Sequence, residues 1–165
     1  MEYIIDGFNL IKTSFIKKYE RQGIEFAQEF LIDILERYKR KHPTIDITIV
    51  FDGKSSNFSF YQKRKIKIIF ANETSADEKI REILENRKER KQIWVVSDDR
   101  EVQEFTRILG SKFINVNEFL KVIYPLEKKE KIPLNINKNI KYRARLEIEK
   151  ELKNFYGKKI RENSK

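Results

Sequence analysis

Tyr3-Ile4-Ile5-Asp6-Gly7 decides the fold: an apolar run too short for a helix stops at an aspartate followed by a glycine. Such a run reads as a buried strand entering a turn. Downstream, Gly23 to Arg40 carry Ala27, Phe30, Leu31, Ile34, Leu35 and Tyr38 at helical spacing. Lys39, Arg40 and Lys41 suit the negative end of that helix, and Pro43 stops it. Asp46 to Phe51 (DITIVF) forms a second strand, closing on Asp52-Gly53. A third runs from Ile66 to Phe70. Ser75-Ala76-Asp77-Glu78 then has the form of a capping box, opening a helix with Ile80, Ile83 and Leu84 on one face. Gln92 to Val96 is a fourth strand that runs into Ser97-Asp98-Asp99 and a helix through Val102, Phe105 and Leu109, with Gly110 at its end. Lys112 to Val116 is a short fifth strand, and Asn117 caps a last core helix through Phe119, Leu120 and Ile123. Short strands alternating with longer helices predict an α/β protein with a parallel, doubly wound sheet.

Composition narrows the chemistry. With no Cys and one His, His42, the 165 residues cannot supply a disulfide framework, a structural zinc site, a Ser-His-Asp triad or a Cys-His dyad. Carboxylates, hydroxyls, amides and cations remain. No apolar run approaches a membrane span, and MEYIIDGFNL lacks the basic start and long apolar stretch of a signal peptide, so a cytoplasmic protein with no membrane partner is expected.

The net charge of +10 favours a polyanionic partner, although thermophile-style ion-pair networks also enrich Lys and Glu. Its distribution is uneven. Residues 125–165 hold 13 Lys/Arg against 6 Asp/Glu, leaving 23 against 20 for residues 1–124. Two segments follow: a domain over 1–124, and a basic linker and C-terminal helix over 125–165. In the second, Pro125 and Pro133 bracket the linker, and Asn139 to Tyr156 read as a helix whose Ile148, Leu152 and Phe155 stripe docks on the domain.

In an open parallel sheet, ligands gather outside the carboxyl ends of the strands. Asp6, Asp52 and Asp98 each fall at such an end, and Asp77 falls in the first turn of a helix that starts there. Converging carboxylates repel one another unless a cation neutralises them, and a hard divalent ion with oxygen ligands, Mg²⁺ or Mn²⁺, suits such a set. Each residue also has a plain structural reading. Asp-Gly pairs make turns, Asp98 with Glu101 fits a capping box, and Asp77 answers a helix dipole. Asn9 is either a turn residue or an amide that holds a metal-bound water or a phosphate oxygen.

Taken in order, Asp6-Gly7-Phe8-Asn9, Val50-Phe51-Asp52, Glu73-Thr74 with Ala76-Asp77-Glu78, and Val96-Ser97-Asp98 closely resemble the motifs of the YacP-type NYN domain, within the PIN-like nucleases. The resemblance covers roughly residues 2 to 124. It implies a three-layer α/β/α fold with a mostly parallel central sheet and a metal-dependent endoribonuclease, in a family whose members act on messenger RNA at the ribosome. It places the metal ligands on Asp6, Asp77 and Asp98, with Asn9 and Asp52 beside them as further catalytic residues. Two departures stand out: Ser75 interrupts the usual Glu-Thr-Ala-Asp run, and Asp99 adds a carboxylate where an aromatic residue can stand.

RNA would be held through its phosphates by Lys and Arg, with rings available for stacking. Lys54 to Lys65 (KSSNFSFYQKRK) offers Lys63, Arg64 and Lys65 beside Phe58, Phe60 and Tyr61, against the plain reading of an edge hairpin. Lys138, Lys141, Arg143 and Arg145 are the second candidate set. A noncatalytic RNA- or ribosome-binding module on the same scaffold is the alternative, disfavoured because clustered negative charge repels a polyanion. A small-molecule phosphatase or nucleotide-binding protein is weaker still, since the chain has no P-loop, GxGxxG or Asp-x-Asp nucleophile motif.

Overall fold

The computed structural model describes residues 1–13, 16–17, 20–21, 23–54 and 64–123. In chain order the elements are β1 (Glu2–Asp6), α1 (Gly7–Ile11), α2 (Ile24–Lys41), β2 (Asp46–Phe51), β3 (Lys67–Phe70), α3 (Ala76–Glu85), β4 (Ile93–Val96), α4 (Arg100–Ile108), β5 (Lys112–Ile114) and α5 (Val116–Ile123). The expected helix over 139–156, and Lys63, Lys138, Lys141, Arg143 and Arg145 with it, lie outside the described residues.

All five strands are parallel, in the order β3-β2-β1-β4-β5. Helices α2, α3 and α4 each return the chain to the starting edge between the strands they join, as parallel pairing needs. Period-two alternation splits the strand side chains between two cores. Ile4, Val50, Ile93 and Val95 meet Ile80 and Leu84 of α3 and Val102 and Phe105 of α4. On the other face Tyr3 packs against Phe119 of α5, ring centroids 4.9 Å apart, and its hydroxyl is hydrogen-bonded to that of Tyr38 on α2. The three-layer α/β/α architecture follows. Among the described residues, no helix is long and apolar enough to cross a membrane.

Local chemistry sets the element ends. Ser75 accepts a hydrogen bond from the Glu78 N–H at 3.1 Å while Glu78 accepts from the Ser75 N–H at 3.2 Å, so the capping box expected before α3 is present. At the end of α4, Gly110 (φ +81°) donates to Arg107 O and Ser111 donates to Thr106 O, the paired bonds of a Schellman motif. Three details differ from the sequence reading. Gly7–Ile11, read as a turn, is one helical turn, and Gly7 is required there because a Cβ would stand 2.3 Å from the Phe51 ring. The α4 cap is Asp99 rather than Asp98, accepting from the N–H groups of Glu101 and Val102. The fifth strand stops at Ile114, where its pairing with Val96 ends. That frees Asn115, rather than Asn117, to accept from the Glu118 N–H at 2.8 Å.

Candidate active site

Four aspartates line the carboxyl edge of the sheet, and each is bonded to the first turn of a helix. Asp6, at the end of central β1, accepts from the Asn9 N–H of α1 at 3.0 Å. Its other oxygen accepts from the Asn9 side-chain amide. Asp52, just past β2, accepts from the Ala76 N–H that opens α3, at 2.7 Å. Beyond β4, Asp98 accepts from the Val116 N–H of α5 at 2.9 Å and Asp99 caps α4. The structural reading of these residues is therefore realised, and it serves to aim them: one oxygen of Asp52, Asp98 and Asp99 is tethered to a helix start while the edge holds the carboxylates together. Ser97, fully buried, accepts from the Asp99 N–H at 3.1 Å, and Gln103 donates its amide to the Ser97 carbonyl at 2.9 Å, which steadies this turn.

Asp77 stands at the second position of α3 and is partly buried. Burial, then the carboxylates of Asp6, Asp99, Asp52 and Glu101, push its carboxyl up to about 6. Asp6 is also raised, chiefly by burial and further by Asp52, against the lowering effect of the Asn9 hydrogen bonds and of Lys12. These mutual effects report convergence. Asp6, Asp52 and Asp77 share one electrostatic neighbourhood, and Asp99 and Glu101 join it. Asp98 stands on the same edge with its bonded oxygen turned to α5.

The donor set suits a hard cation, being all oxygen and mutually repelling. Among the described residues, no group of three or more carboxylates is gathered tightly enough to enclose an ion. A divalent cation at this edge would therefore need waters or substrate phosphate to complete its shell.

The other expected site residues are placed differently. Asn9 turns its amide onto Asp6 and so orients that carboxylate. Arg64 is taken up by the fold: its guanidinium contacts Glu29, Asp33 (2.9 Å) and Glu36 (3.1 Å) of α2, with its side chain only 9% exposed. That burial removes it from a phosphate-binding surface. Lys65 is exposed, and its backbone N–H donates to Glu36 at 2.8 Å. The sequence leaves open whether Asp99 joins the other carboxylates and gives Glu101 only a capping role, whereas the structure brings both into the electrostatic neighbourhood of Asp77. The one signal for them is the doubled Asp98-Asp99 at a strand end.

A parallel sheet of order 3-2-1-4-5, covered by helices and bearing aspartates on its carboxyl edge, is the arrangement of the PIN-like nuclease fold. The chain belongs to the YacP-like NYN domain family, whose family model matches residues 3–163. Its fold is similar to the crystal structure of Rae1 (YacP) from Bacillus subtilis, with a TM-score of 0.63 and 20% identity over 98% of this chain and 95% of that one. A mutant form of the same protein matches with a TM-score of 0.63 and 22% identity, over 77% and 76% of the two chains. No curated protein matches the sequence.

Proposed function

We propose that this protein is a metal-dependent endoribonuclease that hydrolyses phosphodiester bonds of messenger RNA, with the ribosome as a candidate partner. The observation that carries this reading is the placement of Asp6, Asp52 and Asp98 along the carboxyl edge of the sheet, each held by a helix start, with Asp77 in the first turn of α3. Burial and the neighbouring carboxylates of Asp6, Asp99 and Asp52 push the Asp77 carboxyl up to about 6, as expected of carboxylates gathered at a functional site. Membership of the YacP-like NYN family supports a nuclease, and the fold is shared with Rae1 (YacP).

Asp6, Asp77 and Asp98 would hold the divalent ion, one or two of them directly and the rest through its bound waters, with Asp52 and Asn9 beside them. Bound there, Mg²⁺ or Mn²⁺ would lower the pKa of a coordinated water and offset charge on the scissile phosphate and the leaving 3′ oxygen. The protein's own part is orientation. Asn9 fixes the Asp6 carboxylate, Asp52 ties α3 to the end of β2 and thereby positions Asp77, and the Val116 N–H fixes Asp98. Hydrolysis in this geometry leaves a 5′-phosphate and a 3′-hydroxyl.

Cleavage of labelled RNA, with and without Mg²⁺ or Mn²⁺ and with and without ribosomes, tests the proposal. Asp98→Asn should abolish cleavage while RNA binding persists, because an amide still accepts from the Val116 N–H but is a far poorer metal ligand. Cleavage by purified Asp98→Asn at the wild-type rate would remove the reading. RNA binding with no cleavage under any condition would favour a noncatalytic module.

A further inference from the structure

The sheet has a second rim, at the amino ends of its strands, and its charge is opposite to that of the site. The loops entering β2 and β4 lie on either side of the start of β1. The Asp46 N–H donates to the Met1 carbonyl and the Glu2 N–H to the Gln92 carbonyl, each at 3.0 Å. Of the acids on this rim, Glu2 is neutralised by Arg87 at 2.9 Å and Asp46 by Lys39 at 3.0 Å, while Glu85 and Glu89 are exposed and outnumbered by the cations around them. Arg40 and Lys41 from the end of α2, Lys88 and Lys91 from the β4 loop, and Lys112 at the start of β5 are all exposed, and none is in an ion pair among the described residues. Lys112 holds its ammonium 5.1 Å from the ring centre of half-buried Trp94, the only tryptophan in the chain.

We propose that these five cations form a binding surface for the phosphate backbone of a single RNA strand, separate from the acidic edge and engaged by the part of the strand that runs beyond it. The choice of RNA rests on the function proposed above. Phosphates are repelled at the edge carrying Asp6, Asp52, Asp77, Asp98 and Asp99, so affinity has to come from cations elsewhere. A five-residue strand separates the two rims by about 17 Å. That is about five phosphates of a stacked strand at 3.4 Å each. An RNA of about ten nucleotides thus reaches both, whereas one much shorter reaches only one. An anionic membrane would also meet the charge, but the patch is assembled from a helix end, a loop and a strand start and presents no amphipathic helix face of the kind membrane-surface binding uses.

The test is binding to fluorescein-labelled oligouridylate of 6 and 20 nucleotides in EDTA over a series of salt concentrations, for the wild type and a variant with Arg40, Lys41, Lys88, Lys91 and Lys112 all changed to Gln. For the 20-mer the variant should bind at least tenfold more weakly at low salt, with a salt slope flatter by about 3.5, from five contacts at about 0.7 each. Trp94 emission of the wild type should change on binding the 20-mer. Equal affinity and slope for the two proteins, or tighter binding of the wild type to phosphatidylserine vesicles than to RNA, would overturn the proposal. Cleavage with Mn²⁺ is read separately: a wild type that binds RNA through the patch but never cleaves it would refute the nuclease reading alone, and one that cleaves while binding independently of the patch would refute the patch alone.

Discussion

Asp77 is an acid that the fold holds at a cost. Its carboxyl is raised from 3.8 to about 6, and Asp6 is raised with it. The native state therefore keeps protons that the unfolded chain has already released, and stability falls as pH climbs from about 4 to about 6, then levels. Thermal melts in EDTA should show the protein more stable near pH 5 than near pH 7 as far as these two groups decide it. Asp77→Asn should flatten that decline and raise the melting temperature at pH 7, while removing cleavage. Added Mn²⁺ should stabilise the wild type more at pH 7 than at pH 5. A melting temperature of Asp77→Asn equal to or below that of the wild type at pH 7 would mean the carboxylates do not repel. At this scale the strand-end aspartates were legible in the sequence because each stops an apolar run. The orientation of Asn9 toward Asp6 was not, since a one-turn helix leaves no periodicity to read.

Helix α2 shows what a single element hides from sequence reading. Its apolar stripe announced the helix, and Ile24–Lys41 differs from the expected Gly23 to Arg40 by one residue at each end. Its buried acids did not announce themselves: Glu29, Asp33 and Glu36 look like an ordinary charged face until Arg64 arrives from a segment about thirty residues away. Pattern reading works within an element, and this contact is made between two. Asp33 is raised, chiefly by burial, even beside the guanidinium. Arg64→Met should accordingly cost about 3–5 kcal/mol by stranding carboxylates without their cation. Denaturant unfolding at pH 7 would measure it, and the loss should shrink toward pH 5 as Asp33 takes up a proton. A loss under about 1 kcal/mol at pH 7 would show that water has replaced the guanidinium.

Charge is segregated over the whole molecule: residues 125–165 carry 13 Lys/Arg against 6 Asp/Glu, and the described part puts aspartates on one rim and free cations on the other. The family model runs to residue 163, well into that basic segment. Neutralising Lys138, Lys141, Arg143 and Arg145 should weaken RNA binding across many sequences and flatten the salt slope by up to about 3, at about 0.7 per phosphate contact. An unchanged slope in RNA titrations would assign that charge to solubility or to a ribosomal surface. The fold class was readable because alternating elements admit few topologies, whereas strand order and the pairing of distant charges are properties of the assembled sheet.

Of the five strands of the sheet, β1 leaves the ribosome before the other four and ends in the middle, paired with β2 on one side and with β4 on the other. Its first neighbour begins at Asp46 and its second at Ile93, and neither pairing can be made by a local hairpin. Until residues 93–96 emerge, Ile4 and Ile5, wholly buried in the finished protein, border an open strand edge in a growing chain. Synthesis therefore passes through a long interval in which the central strand is half-paired, which exposes the nascent protein to strand addition and aggregation before its site exists.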